Sequence, residues 1–124
     1  MSVFSTQELE YLGERRLGRL ATVDPDGRPH VVPLGWTYNA ALDTIDIGGR
    51  ELEGTRKFAY ASSNAKVALV VDDVLPPWRP RCVMVRGDAE AIRAATDADG
   101  NAVGAIIRLH PTQVISWGLD AADG

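Results

Sequence analysis

Cysteine is almost missing from this chain. Cys82 stands alone, so neither an intrachain disulfide nor a cysteine-rich zinc site can be built. Histidine is nearly as scarce, and His30 and His110 lie at no metal-ligand spacing from each other or from Cys82, so no metal is expected. Positive charge is in deficit: 13 Lys and Arg against 17 Asp and Glu leave a net charge of −4. A sequence-independent nucleic-acid binder needs a basic surface to displace counterions, so no nucleic-acid partner is expected. No apolar run approaches the ~18 residues of a membrane span, and none inserts by this reading. Residues 1–20 lack the charged-then-apolar order of a signal peptide, because Glu8, Glu10 and Gly13 interrupt Leu9, Tyr11 and Leu12. No Gly-x-Gly-x-x-Gly follows a strand pattern. Gly49 and Gly54 have P-loop spacing, but Thr55 stands where that loop needs Lys. Ser62-Ser63 lies in a polar stretch and Cys82 has no base near it in sequence, so no catalytic nucleophile or acid–base pair is nominated. The bounded expectation is a cytoplasmic, reduced protein with one domain over residues 1–124.

What is present is a succession of short extended segments. Ser5-Thr6-Gln7-Glu8 is a capping box, which predicts a short helix carrying Leu9 and Leu12 and ending near Gly13. Gly18 to Val23 alternates as a strand, and Pro25-Asp26-Gly27 is a turn. Pro29 to Tyr38 is extended again, with Pro33 removing one ladder donor and so marking an edge, a bulge or a foreign neighbour. Asn39 to Asp43 turns, Thr44 to Ile47 alternates strictly, and Gly48-Gly49 ends that strand. Gly54-Thr55 opens a helix through Tyr60 and Ala61, with Thr55 as N-cap. Val67 to Val71 is continuously apolar, as in a strand covered on both faces. Pro76, Pro77 and Pro80 predict a stiff extended loop over 74–80 around Trp78. A fifth strand starts at Cys82 and runs to about Arg93. Asp97 to Asn101 turns, and Ala105 to Trp117 reads as an extended pair broken at His110-Pro111.

Six or so strands joined by tight turns imply antiparallel pairing, and at this size a small barrel closes the edges. Val31, Val32, Leu34 and Trp36 supply apolar side chains to both faces of one strand, which predicts that a second copy covers the outer face.

One cluster stands out. Thr55-Arg56-Lys57 places a hydroxyl, two cations and free amides at a helix start, where the helix dipole opposes cations and favours anions. A bound phosphate or carboxylate would resolve the conflict; a solvated pair of surface charges is the other reading. Arg15, Arg16 and Arg19 form a second basic group that reads as a solvated helix end, and His30 reads as a half-exposed strand residue or a ligand hydrogen-bonder. Trp36, Trp78 and Trp117 suit core or interface, with Trp78 the least core-like. Cys82 is most simply a small buried apolar residue.

In order, Gly18-Arg19-Leu20-Ala21-Thr22, Asp26 to Pro33, Thr55-Arg56-Lys57, Val67 to Asp73 and Arg86-Gly87-Asp88-Ala89-Glu90 resemble the pyridoxamine-phosphate-oxidase-like split-barrel family. Pro76 to Arg81 and Ile115 to Asp120 are similar to a subgroup of its actinobacterial branch that uses the deazaflavin coenzyme F420. The resemblance implies a mainly β, antiparallel, FMN-binding-like split barrel, a homodimer, and two cofactor sites at the subunit interface. It implies that Thr55, Arg56 and Lys57 hold the cofactor phosphate, that His30, Val31, Val32 and Pro33 lie along the ring system, and that Trp78 and Arg79 reach toward the site, from the same chain or from the partner subunit. Ala59 stands where relatives often carry Arg or another polar residue, which thins the basic pocket. The expected activity is transfer of a hydride from reduced F420 to an electron-poor small-molecule acceptor, the cofactor performing the hard step. Two alternatives are an FMN-dependent oxidoreductase on the same fold and a non-catalytic flavin or deazaflavin carrier.

Overall fold

The computed structural model describes residues 2–49, 51–97 and 99–120. Helix α1 spans Thr6–Gly13, and its capping box forms as expected: the Ser5 hydroxyl accepts from the Glu8 amide while the Glu8 carboxylate accepts from the Ser5 amide. Strands β1 (Leu17–Val23), β2 (Pro29–Gly35), β3 (Thr37–Asn39) and β4 (Thr44–Ile47) follow. A 3-10 turn over Leu52–Gly54 leads into α2 (Arg56–Ser63), and β5 (Lys66–Leu75), β6 (Arg79–Thr96) and β7 (Ala102–Trp117) complete the chain. Among the described residues no helix is long and apolar enough to cross a membrane.

All pairings are antiparallel, and the seven strands lie in the order β2-β1-β5-β6-β7-β4-β3. The two edge strands, β2 and β3, are separated in sequence by Trp36 alone. A sheet whose opposite edges are one residue apart must roll until they meet, so the chain itself closes the barrel where hydrogen bonds do not. Gly18 makes room for that closure: a Cβ there would stand 3.0 Å from both the Trp36 ring and Leu69. Pro33 accordingly lies on an edge strand, where its missing N–H leaves no ladder bond unmade. Leu20, Ile45, Leu69, Val83, Val85 and Ile107 are fully buried inside, each contributing about 1.5–3 kcal/mol of apolar transfer.

Four local expectations change. Among the described residues the strands number seven, because Trp36 divides the expected Pro29–Tyr38 segment into β2 and β3. In β5, buried Val67, Leu69 and Val71 alternate with half-exposed Ala68 and Val70, so one chain covers only one face of the apolar run. The stretch 74–80 is a hairpin, not an extended loop: residues 76–78 turn and Leu75 pairs with Arg79. Pro80 tolerates this because it lies beyond the terminal β6–β7 pair, Cys82 with Trp117, where that side of the ladder needs no donor. Finally, β7 is unbroken at His110-Pro111, and β6 extends to Thr96. The irregularity is absorbed as a bulge, Arg86 pairing with Gln113 and Gly87 with Pro111, so that Thr112 is left over.

Polar ties hold α1 on the barrel. Glu8, 9% exposed, accepts from the Ser116 hydroxyl at 2.6 Å. Tyr11 donates to Asp73 at 2.8 Å, Arg15 donates to the Tyr11 carbonyl and to Asp73, and buried Arg81 donates to both Asp73 oxygens. Arg15, Arg19 and Arg81 are therefore structural: Arg15 and Arg81 pair with Asp73, and Arg19 pairs with Asp72. The Arg81 guanidinium, with Tyr11 and Arg15, holds the Asp73 carboxyl well below the usual range, against a smaller opposing effect of burial. Burial, then the neighbouring Asp73, pushes Tyr11 up to about 12. A depressed carboxyl stabilises the fold above its unfolded pKa and loses that contribution as pH falls below about 4. The raised phenol stabilises below pH ~10 and loses its contribution as pH rises toward 12. Asp73→Ala should cost about 2–4 kcal/mol, below the full value for a buried pair because Asp73 is one-third exposed. Urea unfolding at pH 7 and pH 3 checks this: the deficit should shrink in acid, and a deficit equal at both pH values would assign the loss to packing instead.

Candidate functional site

The start of α2 is set by what it buries. Leu52 anchors the preceding 3-10 turn, and Phe58 and Ala61 plug into the barrel, all three at most 3% exposed. Arg56 is thereby exposed and Lys57 half-exposed. Thr55 is the N-cap: its hydroxyl accepts from the Phe58 amide at 3.3 Å and donates to the Leu52 carbonyl at 2.6 Å. The Thr55 side chain is thus already engaged in capping and has no second proton to offer an anion. The amides of Arg56 and Lys57 are among those an α-helix leaves without an intrahelical acceptor. Neither side chain is in an ion pair among the described residues, whereas Arg93, close by on β6, pairs with Glu53. Two uncompensated cations and two free amides at a positive dipole end make an anion site electrostatically favourable.

His30 is brought to this helix. Its ring packs edge-on against Tyr60 of α2, with centroids 5.3 Å apart and planes at 81°. Its Nδ1 is buried without a hydrogen-bond partner among the described residues, as is the hydroxyl of Thr22, its register partner on β1. Strand alternation divides the expected ring-contacting run. His30 and Val32 are half-buried, while Val31 and Pro33 face out, Val31 at 60% exposed. Four consecutive side chains cannot face one ligand. What β2 offers instead is its free main-chain edge, with Pro33 removing an N–H from it.

Trp78 and Arg79 lie elsewhere. They occupy the tip of the β5–β6 hairpin, Trp78 75% exposed and Arg79 donating to the Pro76 carbonyl at 3.2 Å. Helix α2 leads into β5 at Lys66, and the ten residues to Leu75 put about 30 Å of strand between them and that helix. One chain does not unite them with Arg56 and Lys57.

Sequence reasoning missed two features. Tyr60, the ring under His30, had no signal beyond its helical position. The other is a cavity of about 610 Å³ over the outer face of β3 and β4, floored by Gly35, Thr37 and Gly48 and walled by Trp36, Val103 and Ile106. Its signal was the pair of outward-facing glycines, Gly35 and Gly48, whose missing side chains leave the floor open. Around the barrel, Ala68, Val70, Met84 and Ile115 make a half-exposed apolar strip on the outer face, flanked by exposed Val31 and Trp117.

The family profile described as Pyridoxamine 5'-phosphate oxidase matches residues 5–117. A curated relative is the 5a,11a-dehydrotetracycline/5a,11a-dehydrooxytetracycline reductase of Streptomyces rimosus subsp. rimosus. It is 36% identical over 120 residues, which cover 94% of this chain and 84% of the relative. The structure of the FAD binding protein from Mycobacterium smegmatis superposes with a TM-score of 0.68 at 26% identity, covering 92% of this chain and 96% of that one. A structure described as an F420 reductase superposes with a TM-score of 0.63 at 25% identity, covering 86% and 94%.

Proposed function

Because the chain belongs to the pyridoxamine 5'-phosphate oxidase family and folds as its split β-barrel, we propose that it is an F420-dependent oxidoreductase that reduces an electron-poor organic acceptor. The observation that carries this reading is the pair of cations, Arg56 and Lys57, without an ion pair among the described residues at the start of α2, the helix whose Tyr60 packs on His30 of the edge strand β2. The reductase relative supports the reaction class, and the F420 reductase neighbour supports the choice of cofactor.

In this reading Arg56, Lys57 and the first amides of α2 hold the cofactor phosphate, and the Thr55 hydroxyl holds the helix start in place rather than the ligand. The main chain of His30 to Pro33 lines the ring system, and His30 adds an imidazole nitrogen that no group among the described residues satisfies. A bound reduced deazaflavin supplies the hydride, so the chain needs no acid–base pair of its own. The apolar outer strip is the contact between two copies, and the partner copy brings Trp78 and Arg79 to the site that its own chain cannot reach.

The test is a fluorescence titration of the purified protein with F420, with FMN in parallel and the same sample sedimented. Micromolar or tighter F420 binding, one per chain in a sedimenting dimer, is expected. Preference for FMN would move the protein to a flavin-dependent reaction on the same barrel. Tight F420 binding with no oxidation of the reduced form across a panel of acceptors would make it a carrier. A monomer with full affinity would remove Trp78 and Arg79 from the site.

A further inference from the structure

We infer that the cavity over β3 and β4 is the acceptor site, and that it selects flat, largely apolar acceptors that are neutral or cationic. This rests on the oxidoreductase reading above. Three observations carry it.

The first is position. Val31, Pro33 and Gly35 form the outward row of β2, and Gly35 is also floor of the cavity. The stretch assigned to the ring therefore runs directly into the cavity, with Pro33 and Gly35 about 7 Å apart along the strand. Any acceptor of a hydride has to sit beside the ring, and this cavity is there.

The second is the chemistry of the walls. Trp36, Val103 and Ile106 present apolar surface. Three of the polar side chains among the lining residues, Asp46, Asn39 and Thr37, are engaged with protein groups, whereas the Trp36 Nε1 has no hydrogen-bond partner among the described residues. Asp46 accepts from Arg108 at 3.0 and 3.1 Å, from Asn39 at 3.0 Å and from Thr44 at 3.0 Å, and the Asn39 carbonyl oxygen accepts from the Leu42 amide. Thr37 donates to the Asp46 carbonyl. Few hydrogen-bonding groups are left for a ligand, so shape and apolar contact decide what binds. A volume of about 610 Å³ falls inside the ~300–1,000 Å³ of small-molecule pockets.

The third is charge. Arg108 neutralises Asp46, but Asp97 on the rim is in no ion pair among the described residues and accepts only from the Asp99 and Asn101 amides. Among the described lining residues the charge left uncompensated is negative, and it repels carboxylates and sulfonates. Reduction in this site moves a hydride from reduced deazaflavin to an electron-poor carbon and a proton from water to the adjacent atom. The deazaflavin is oxidised by two electrons and the acceptor reduced by two.

The experiment pairs a binding probe with turnover. Gly48→Leu fills the floor, where an added Cβ meets only the Ile106 side chain at 3.9 Å. The expected result is at least a tenfold loss of affinity for the neutral dye Nile red, read by fluorescence without cofactor. F420 affinity should stay within threefold of wild type, and the KM for menadione should rise at least tenfold. Val103→Ser, at an exposed lining position, gives a second variant should Gly48→Leu fold poorly; it should weaken Nile red in the same direction. The anionic dye 1-anilinonaphthalene-8-sulfonate should bind at least tenfold more weakly than Nile red, and Asp97→Asn should narrow that gap. Nile red binding unchanged in both variants would overturn the proposal, as would parallel loss of dye and F420, which would make the cavity part of the cofactor's own site. A wild-type protein that binds the dye but no F420 would overturn the cofactor reading itself, and the acceptor role with it.

Discussion

Replacing Arg56 and Lys57 together by Ala should weaken F420 binding by at least about two orders of magnitude while leaving the protein as stable as before, or slightly more so. Each charge-assisted bond to a phosphate is worth about 1.5–3 kcal/mol, and a tenfold change in Kd is about 1.4 kcal/mol. Two such bonds at an exposed helix start, taken at the low end because water screens them, still give about 3 kcal/mol. The stability half of the prediction follows from the fold. Neither side chain has a partner to lose among the described residues. Removing two cations from a positive dipole end relieves a repulsion of about 0.3–1 kcal/mol each, and Ala is the best helix former. Lower affinity with a maintained or raised melting temperature is the signature of charges kept for a ligand. If the double variant titrates like wild type, the cluster is a solvated surface pair after all. Repeating the wild-type titration from low to high salt adds a check, since affinity carried by these charges falls as salt screens them.

Gly87→Ala should be the most damaging single-methyl substitution tested in the barrel, costing about 3 kcal/mol or more, at or beyond the upper end of ordinary overpacking. A Cβ at Gly87 would stand 2.1 Å from the His110 carbonyl oxygen and 2.9 Å from its carbon. Both are backbone atoms in the β6–β7 ladder, so the side-chain rotations that usually absorb a new methyl are not available. The site lies at the bulge where Gly87 pairs with Pro111 and Thr112 is skipped. Relief would require the two longest strands to part, and β7 also carries Ser116, the partner of Glu8 on α1. Gly13→Ala is the control. Nothing lies within 4 Å of its added Cβ, and in α1 the change should be neutral or stabilising by about 0.5–1 kcal/mol. Urea midpoints for the two variants decide the matter; a Gly87→Ala midpoint equal to wild type would mean that the bulge yields at no cost.

Local chemistry was legible wherever a few neighbouring residues decide the outcome. The Ser5–Glu8 capping box, the Thr55 N-cap, the positive-φ turn at Gly27 and the strand at Thr44 to Ile47 all form as the residues imply, although Thr44 is buried beside Ile45 rather than alternating with it. The placing of Arg56 and Lys57 at a helix start was legible too, because a helix start and its cations are written within three residues. The resemblance across the chain also pointed to the family that the profile match bears out. Where residues far apart in sequence compete, the reading stopped. The proline-rich stretch 74–80 looked like a stiff loop because its partner, β6, is what folds it into a hairpin. His110-Pro111 looked like a break because Gly87, 23 positions earlier, is what accommodates it.

The chain by itself determined an antiparallel β protein with capped helices, no metal-binding cysteines and a pair of cations held where a helix would repel them. Those outcomes depend on covalent composition, backbone preference and the field of a single helix. Tertiary structure decided which charges are structural, pairing Arg15 and Arg81 with Asp73 and leaving Arg56 and Lys57 without an ion pair among the described residues. It also decided that His30 meets α2, that Trp78 does not, and that a cavity opens beside β2. The reason is closure: one residue, Trp36, joins the two edges of a seven-stranded sheet, and only when the sheet rolls up do side chains far apart in sequence become neighbours.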